Sequence, residues 1–428
     1  MSVRNQIPAG ILSLDLKDEL SGFRNRFYIP QNTIYMDGNS LGLLSVDSEE
    51  SLLRVLDEWK KLAIKGWTEG KRPWFWFAEE IGTMASKLVG ADPGEVIMSG
   101  STTVNIHALI SSFFTPEGER NKILADELNF PSDLYALKGQ LMLKGFDPDK
   151  HLVLAKAGEK GLLDEKSIIE LMTDETALVF LPSVLYHTGQ LLDIKMLTEE
   201  AAKRGILTGF DCSHSAGAIP HRFNEWGVDF ALWCSYKYLN GGPGSTAFFY
   251  VNKKHFGKEP FLAGWFGCNK EKQFDMLNEF IPSPDAGRWQ ISSPAILSSA
   301  PVEGALKITL EAGIDRIRKK SVQLTTLLAK MINERIIPHY QGFRLITPTD
   351  PSKRGGHIAI EHPDAAMITE ALKARGVIPD LRPPSIIRIA PVALYNSFSE
   401  VWKVVDILAE IMKNNEYVKF RGQRRTVT

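Results

Sequence analysis

From about residue 95 onward the chain alternates short, β-rich apolar runs with helical patterns, and no other feature narrows its fold as much. Such alternation is what a largely parallel sheet covered by helices requires, because each parallel strand needs a long crossover before the next. Strands are predicted at Val96–Ser99, Lys122–Ala125, His151–Ala155, Ala177–Leu181 and Ile206–Asp211, with helices from Thr103, after Pro131 and across Glu199–Arg204. The rhythm then changes to a strand, Asp229–Ser235, a glycine-rich turn, Asn240–Ser245, and a second strand, Thr246–Val251. Beyond residue 304 a long helical pattern runs to about Ile336, followed by strands near Gly356–Glu361 and Ile386–Ala390 and a closing helix. The expected architecture is α/β: a large domain over 61–304, a smaller α+β domain over 305–428, and an N-terminal segment, 1–60, that joins the small domain.

Composition excludes several classes of partner. Lysine and arginine number 50 against 51 acidic residues, so no net field draws the protein to nucleic acid or to an anionic membrane. The three cysteines, Cys212, Cys234 and Cys268, form no CxxC pair and no even framework, which points to a reducing compartment. Met1–Leu20 mixes Arg4, Asp15, Lys17, Asp18 and Glu19 with short apolar runs and reads as neither signal peptide nor membrane span. A soluble cytoplasmic protein is expected.

Two of the predicted strands, Ala177–Leu181 and Ile206–Asp211, end at polar residues, and ligands of open α/β sheets gather beyond the carboxyl ends of strands. Asp211-Cys-Ser-His214 is followed, 26 residues after the aspartate, by Lys237 within Ser235-Tyr-Lys-Tyr238. A lysine forms an imine with a carbonyl, and a buried carboxylate at a strand end keeps a pyridinium nitrogen protonated, so the constellation suits an aldehyde cofactor. Singly, Asp211 also reads as a helix cap and Lys237 as a solvated lysine. A merely solvated lysine, however, has no need of the apolar strand before Lys237 or of Gly241-Gly-Pro-Gly244 after it. His214 and Cys212 raise a metal site, but no second histidine pair stands at metal spacing. No metal is expected, and His214 is read as a ring stacked over, or hydrogen-bonded around, the cofactor. Thr102 and Thr103 follow Ser99-Gly-Ser101 at a helix entry, where hydroxyls and free amides can hold a phosphate; simple N-capping explains one threonine equally well.

Several motifs resemble those of the kynureninase family: Asn129-Phe-Pro-Ser-Asp133, Phe210-Asp-Cys-Ser-His214, Trp233-Cys-Ser-Tyr-Lys-Tyr-Leu-Asn240, Ala263-Gly-Trp-Phe-Gly267 and Arg388-Ile-Ala-Pro-Val-Ala-Leu-Tyr-Asn-Ser-Phe398. Asn39-Ser-Leu-Gly42 and Gly70-Lys-Arg-Pro-Trp74 extend the likeness over nearly the whole chain. The resemblance implies fold-type-I architecture with a mainly parallel mixed sheet, pyridoxal 5'-phosphate (PLP) as cofactor, and a homodimer that cleaves L-kynurenine to anthranilate and L-alanine. By that likeness Lys237 is the imine lysine and takes the α-proton, Phe130 stacks on the pyridine ring, and Asp133 and Asp211 bond on its nitrogen side. Thr103 with Thr102 binds the phosphate, and Tyr236 reaches it with a hydroxyl able to pass a proton to the leaving fragment. Trp265 and Ser293 match positions that serve the phosphate of the neighbouring subunit, so the site is expected to be shared across the dimer interface. Arg388 matches the arginine that grips the substrate α-carboxylate, a task its planar guanidinium suits; a surface ion pair is the alternative, at odds with Ile386, Ile387 and Ile389 around it. Ser40 and Trp67 are expected on the substrate side.

Three positions qualify the resemblance. At Ser293 the family more often has asparagine or threonine, and serine keeps only the hydroxyl. Pro182 stands where some members place a serine near the cofactor, and proline offers neither hydroxyl nor amide donor. Trp67, in Gly66-Trp-Thr-Glu-Gly-Lys71, matches the tryptophan of bacterial members rather than the histidine of animal ones, which favours unhydroxylated kynurenine; plain packing is its alternative role. Two rival readings stay open: a cysteine desulfurase, for which Cys268 would have to be a mobile nucleophile, and an inactive homologue that keeps only the fold.

Overall fold

The computed structural model describes residues 6–158 and 161–422. β1 (Ile34–Tyr35) precedes a seven-stranded sheet of β2 (Val96–Met98), β3 (Lys122–Asp126), β4 (Leu152–Ala155), β5 (Thr176–Pro182), β6 (Leu207–Asp211), β7 (Phe230–Trp233) and β8 (Phe248–Val251). Their spatial order is β2-β8-β7-β6-β5-β3-β4; the pairs from β7 to β4 are parallel, and β8 runs antiparallel to both β7 and β2. The central strands are apolar on both faces because both are covered. In β5, Val179 and Leu181 face one buried layer with Phe210 and Trp233, while Leu178 and Phe180 face the other with Ile123 and Phe230.

A second sheet is antiparallel. β9 (Arg344–Leu345), β10 (Ile358–Glu361), β12 (Asp380–Arg382) and β13 (Ile386–Ile389) lie in the order β12-β13-β10-β9, and β11 (Val377–Ile378) instead pairs in parallel with β1. The closing helix, Phe398–Lys413, carries a reciprocal cap between Ser397 and Glu400 and buries Val401, Val405 and Leu408 against this sheet.

The structure corrects three expectations. The single helical run from 304 to about 336 is two helices, Ile296–Ala312 and Ile314–Arg335, parted at Gly313, whose φ of 78° only glycine adopts freely. The strands predicted at Asp229–Ser235 and Thr246–Val251 are shorter, because Ser235 Oγ turns to Ser245 Oγ and Thr246 O, both at 2.6 Å, and Asp229 Oδ2 accepts from Thr208 N–H at 2.7 Å. His151 closes a short helix, Pro148–His151, rather than opening β4. Two N-terminal helices, Val46–Leu62 and Phe77–Val89, had no counterpart in the strand-helix rhythm. The first lies so close to Ile296–Ala312 that a Cβ on Gly304 would stand 2.1 Å from Asp47 O.

Candidate active site

The carboxyl ends of β3, β5, β6 and β7 share one edge of the main sheet, and the side chains beyond them form a buried group. Lys237 lies in the turn after β7. Asn240, left-handed at φ 58°, closes that turn by donating its N–H to Lys237 O at 2.9 Å. The N-terminal segment clamps it from outside: Gly42 N–H donates to Tyr236 O at 2.7 Å. A Cβ at Gly42 would stand 2.3 Å from Asn240 Oδ1 and 2.5 Å from Lys237 O, so only glycine allows this approach.

Lys237 Nζ is 3.0 Å from His214 Nε2. Burial, then the neighbouring Lys237 and Arg388, push the His214 imidazole well below the ordinary histidine range and keep it neutral. Asp211 accepts from Ser213 N–H at 2.7 Å. Asp133, 1% exposed on the first turn of the helix Pro131–Leu143, adjoins it; burial and the Asp211 charge hold the Asp133 carboxyl well above the usual carboxylate range. Asp133 Oδ2 makes no hydrogen bond among the described residues. Two buried carboxyls so placed favour a single negative charge, and a cationic N–H donor beside them would satisfy both.

Phe130 immediately precedes this helix, its ring edge-on to Tyr186 at 5.2 Å. Thr102 and Thr103 open the helix Thr102–Phe113, whose N-cap, Ser101, makes no side-chain capping bond, so the first-turn N–H groups are left for another acceptor. Gly100, at φ 59°, makes the turn into this helix. Tyr236 is half-buried, and burial raises its phenol, which stays protonated at neutral pH.

Arg388 is 0% exposed. Its Nε bonds Asp380, the residue opposite it in the β12–β13 register; Nη1 donates to Tyr186 O at 2.8 Å and Nη2 to Ser40 Oγ at 3.1 Å. An ion pair therefore exists, but buried rather than at the surface. Three of the five guanidinium N–H groups are engaged by these bonds, leaving two for a carboxylate. Pro182 ends β5 opposite Asp211, and it is the next residue, Ser183, that donates its backbone N–H to Asp211 O at 2.8 Å.

Trp67, Trp265 and Ser293 form a separate group. Gly264 packs so tightly on Ile291 that a Cβ would be 1.9 Å from Ile291 O, which brings the Trp265 loop beside the segment carrying Ser293. Trp265 is 44% exposed, and Ser293 is exposed. Trp67 stands 5.8 Å from Trp74 and 6.0 Å from Phe266, and with Val55, Trp59, Trp74, Ile296 and Leu297 it lines a cavity of about 210 Å³. Among the described residues no hydrogen bond or ring contact joins these three side chains to Lys237, Asp211 or Arg388.

Sequence reasoning missed Asp380 and Arg382, which frame Arg388, and Tyr186, His187 and His357, which stand around His214. The rule that ligands lie beyond strand ends, applied to Ala177–Leu181, would have reached Tyr186 and His187. His357 has no sequence signal, being one histidine ahead of one apolar strand. The cysteine thiols are all pushed up by burial, Cys212 to about 12, and Cys268 has no cation among the causes of its shift to make it a reactive thiolate.

A family model for the kynureninase C-terminal domain matches residues 317–408. Among solved structures, the apo cysteine desulfurase of Thermococcus onnurineus NA1 is similar with a TM-score of 0.77 at 17% identity, over 92% of this chain and 98% of its own. The cystine C–S lyase C-DES, solved with glycine covalently linked to its PLP cofactor, gives 0.76 at 15% identity, over 90% and 99%. These two share the fold-type-I architecture. The kynureninase of Geobacillus thermodenitrificans is 56% identical over 414 residues, covering 97% of this chain and 96% of that protein. With more than half its residues shared along nearly the full length of such a relative, this chain belongs to the kynureninase family.

Proposed function

We propose that the protein hydrolyses the Cβ–Cγ bond of L-kynurenine, releasing anthranilate and L-alanine, with PLP as cofactor and Lys237 as its covalent anchor. The observation that carries this reading is the Lys237 amine held 3.0 Å from a neutral His214, three residues beyond Asp211. The unpartnered Asp133 oxygen beside Asp211 fits a protonated ring nitrogen, and the uncapped helix start at Thr102 and Thr103 fits a phosphate. PLP, when bound, supplies a sink for electrons released at carbons beside the substrate nitrogen.

The rest is done by the chain. Asp211 and Asp133 would hold the ring nitrogen; Thr102, Thr103 and Tyr236 the phosphate; Phe130 and His214 the ring. Lys237 would take the α-proton, and His214 Nε2 would steady its amine. Arg388 grips the α-carboxylate with the two donors that Asp380, Tyr186 and Ser40 leave free, a fork already fixed before substrate arrives. Tyr236, kept protonated by burial, donates a proton to the departing fragment. Trp67 lines the aryl side and favours the unhydroxylated substrate.

The same reading makes the enzyme a cytoplasmic homodimer in which Trp265 and Ser293 complete the phosphate site of a partner copy. It divides the chain into 61–304 and 305–428, with 1–60 joining the small domain and the helix Ile296–Ala312, packed on the main-sheet core through Val302 and Leu306, spanning the boundary. Its three free cysteines support the compartment and the exposed Trp265 loop the shared interface. No helix among the described residues is long and apolar enough to cross a membrane. Purified protein mixed with PLP and L-kynurenine should release fluorescent anthranilate and equimolar alanine. Alanine from cysteine, with no anthranilate from kynurenine, would replace this reading with the desulfurase one.

A further inference from the structure

Beside His214 the structure gathers polar atoms that the steps above leave unused. His357, just ahead of β10, is 0% exposed, and neither of its ring nitrogens makes a hydrogen bond among the described residues. Nδ1 of His214 and Nδ1 of His187 are buried in the same condition. The His214 and His357 rings lie 6.0 Å apart, inclined at 61°. The loop after β5 closes over His357 at Gly189, φ 75°, where a Cβ would stand 3.0 Å from His357 O and 3.1 Å from its Nε2.

A neutral imidazole has one donor and one acceptor, so the bond made by one nitrogen dictates the task of the other. Both rings are neutral: burial first, then nearby cations, push each well below the ordinary range. The titratable groups facing them are Lys237 in the turn after β7, Arg382 on β12, Arg388 on β13, and His187 and Tyr186 in the loop after β5. Tyr238 approaches the adjoining Gly356. Lys237 Nζ is a donor and lies 3.0 Å from His214 Nε2, so Nε2 accepts and the His214 proton sits on Nδ1. That buried N–H needs an acceptor. With the ring centroids 6.0 Å apart and neither His214 Nδ1 nor either His357 nitrogen bonded among the described residues, the rings stand too far apart for a direct bond and near enough for one bridging water.

We propose that His357 is a positioning residue: through one buried water it accepts from His214 Nδ1, fixes the tautomer of that ring, and so keeps Nε2 available to the Lys237 amine. This rests on the reading of Lys237 as the cofactor lysine. Without the acceptor, the His214 proton moves to Nε2 and opposes the Lys237 donor, so the amine is held less well when it must take the α-proton.

The test compares His357→Leu and His357→Gln with the unmodified PLP-loaded enzyme, following the visible cofactor band against pH together with kcat, KM and Tm. His357→Leu should move the pH midpoint of the band by about one unit and lower kcat roughly tenfold, the worth of one buried hydrogen bond, with KM little changed. His357→Gln keeps a donor and an acceptor and should restore both. A lower Tm with the midpoint and kcat unmoved means packing alone and overturns the proposal. If neither variant folds, a high-resolution crystal structure of the unmodified enzyme decides: a water within bonding distance of His214 Nδ1 and a His357 nitrogen supports the proposal, and none there contradicts it. Unmodified protein that develops no visible band with PLP would instead sink the Lys237 reading, so the two failures are distinct.

Discussion

The Lys237 floor and the Trp67–Trp265 face belong to one chain and are built on opposite terms. The floor is closed: Arg388 and Asp133 are buried, Gly42 locks the Lys237 turn, and the guanidinium is committed to three partners before any ligand arrives. The face is open: Trp59 is exposed at the cavity that Trp67 lines, and Trp265 and Leu277 are exposed where they line a second one. Buried polar groups specify geometry because each unmade bond is costly, whereas an apolar patch gains only when something covers it. The contrast teaches that the polar floor is fixed within one copy of the chain, whereas the apolar face gains only from what covers it, which the proposed function assigns to a second copy.

The largest effect should come from the floor. Lys237→Ala should lose turnover roughly ten-thousandfold and abolish the visible cofactor band, while stability moves by less than about 1 kcal/mol, since the lysine is only half-buried. Retained turnover would break the distinction between floor and face. Arg388→Ala comes next: it takes from the buried Asp380 one of its two ion-pair partners and leaves Arg382, which costs about 1–3 kcal/mol, and it raises KM. Thermal melts and initial rates read both. Trp265→Ala, by contrast, should leave the melt of a diluted sample nearly unchanged.

Acid–base behaviour sharpens the same comparison. Asp133 is held above its unfolded value, so the folded apoprotein binds that proton more tightly than the unfolded chain; the stabilisation is full below the unfolded pKa and drains away as pH rises through the folded one. Asp37 and Asp126, both pushed to about 7 chiefly by burial, act in the same sense. The buried neutral imidazoles of His214, His221 and His357 act in the opposite sense, so the carboxyls contribute to apoprotein Tm a component that falls between about pH 4 and pH 7 against the histidines' rise. Asp133→Asn should flatten part of that slope and weaken PLP retention, and an unchanged slope would remove Asp133 from the floor. The smallest effect belongs to the face: Trp67→His should shift the kcat/KM ratio between kynurenine and its 3-hydroxy form roughly two- to tenfold.

The sequence made the floor legible where chemistry and secondary structure coincide. Asp211, His214 and Lys237 follow apolar runs that read as strands, and of the glycines in the turn after Lys237 it is Gly241 that meets close backbone, a Cβ there standing 2.9 Å from Ser235 O. Asp380 stayed hidden because its pairing with Arg388 depends on the β12–β13 register. His357 stayed hidden because its burial depends on the loop through Gly189. The break at Gly313 was invisible to periodicity, since the helical pattern resumes in phase on its far side.

The claim that face completes floor across two copies is tested by mixing subunits. Lys237→Ala and Trp265→Ala proteins, each expected to have lost turnover alone, are unfolded together, refolded with PLP and assayed for anthranilate. Random pairing makes half the dimers mixed, each with one intact site, so activity should return to about one quarter of the unmodified enzyme. Activity no greater than that of the separate proteins would contradict the account.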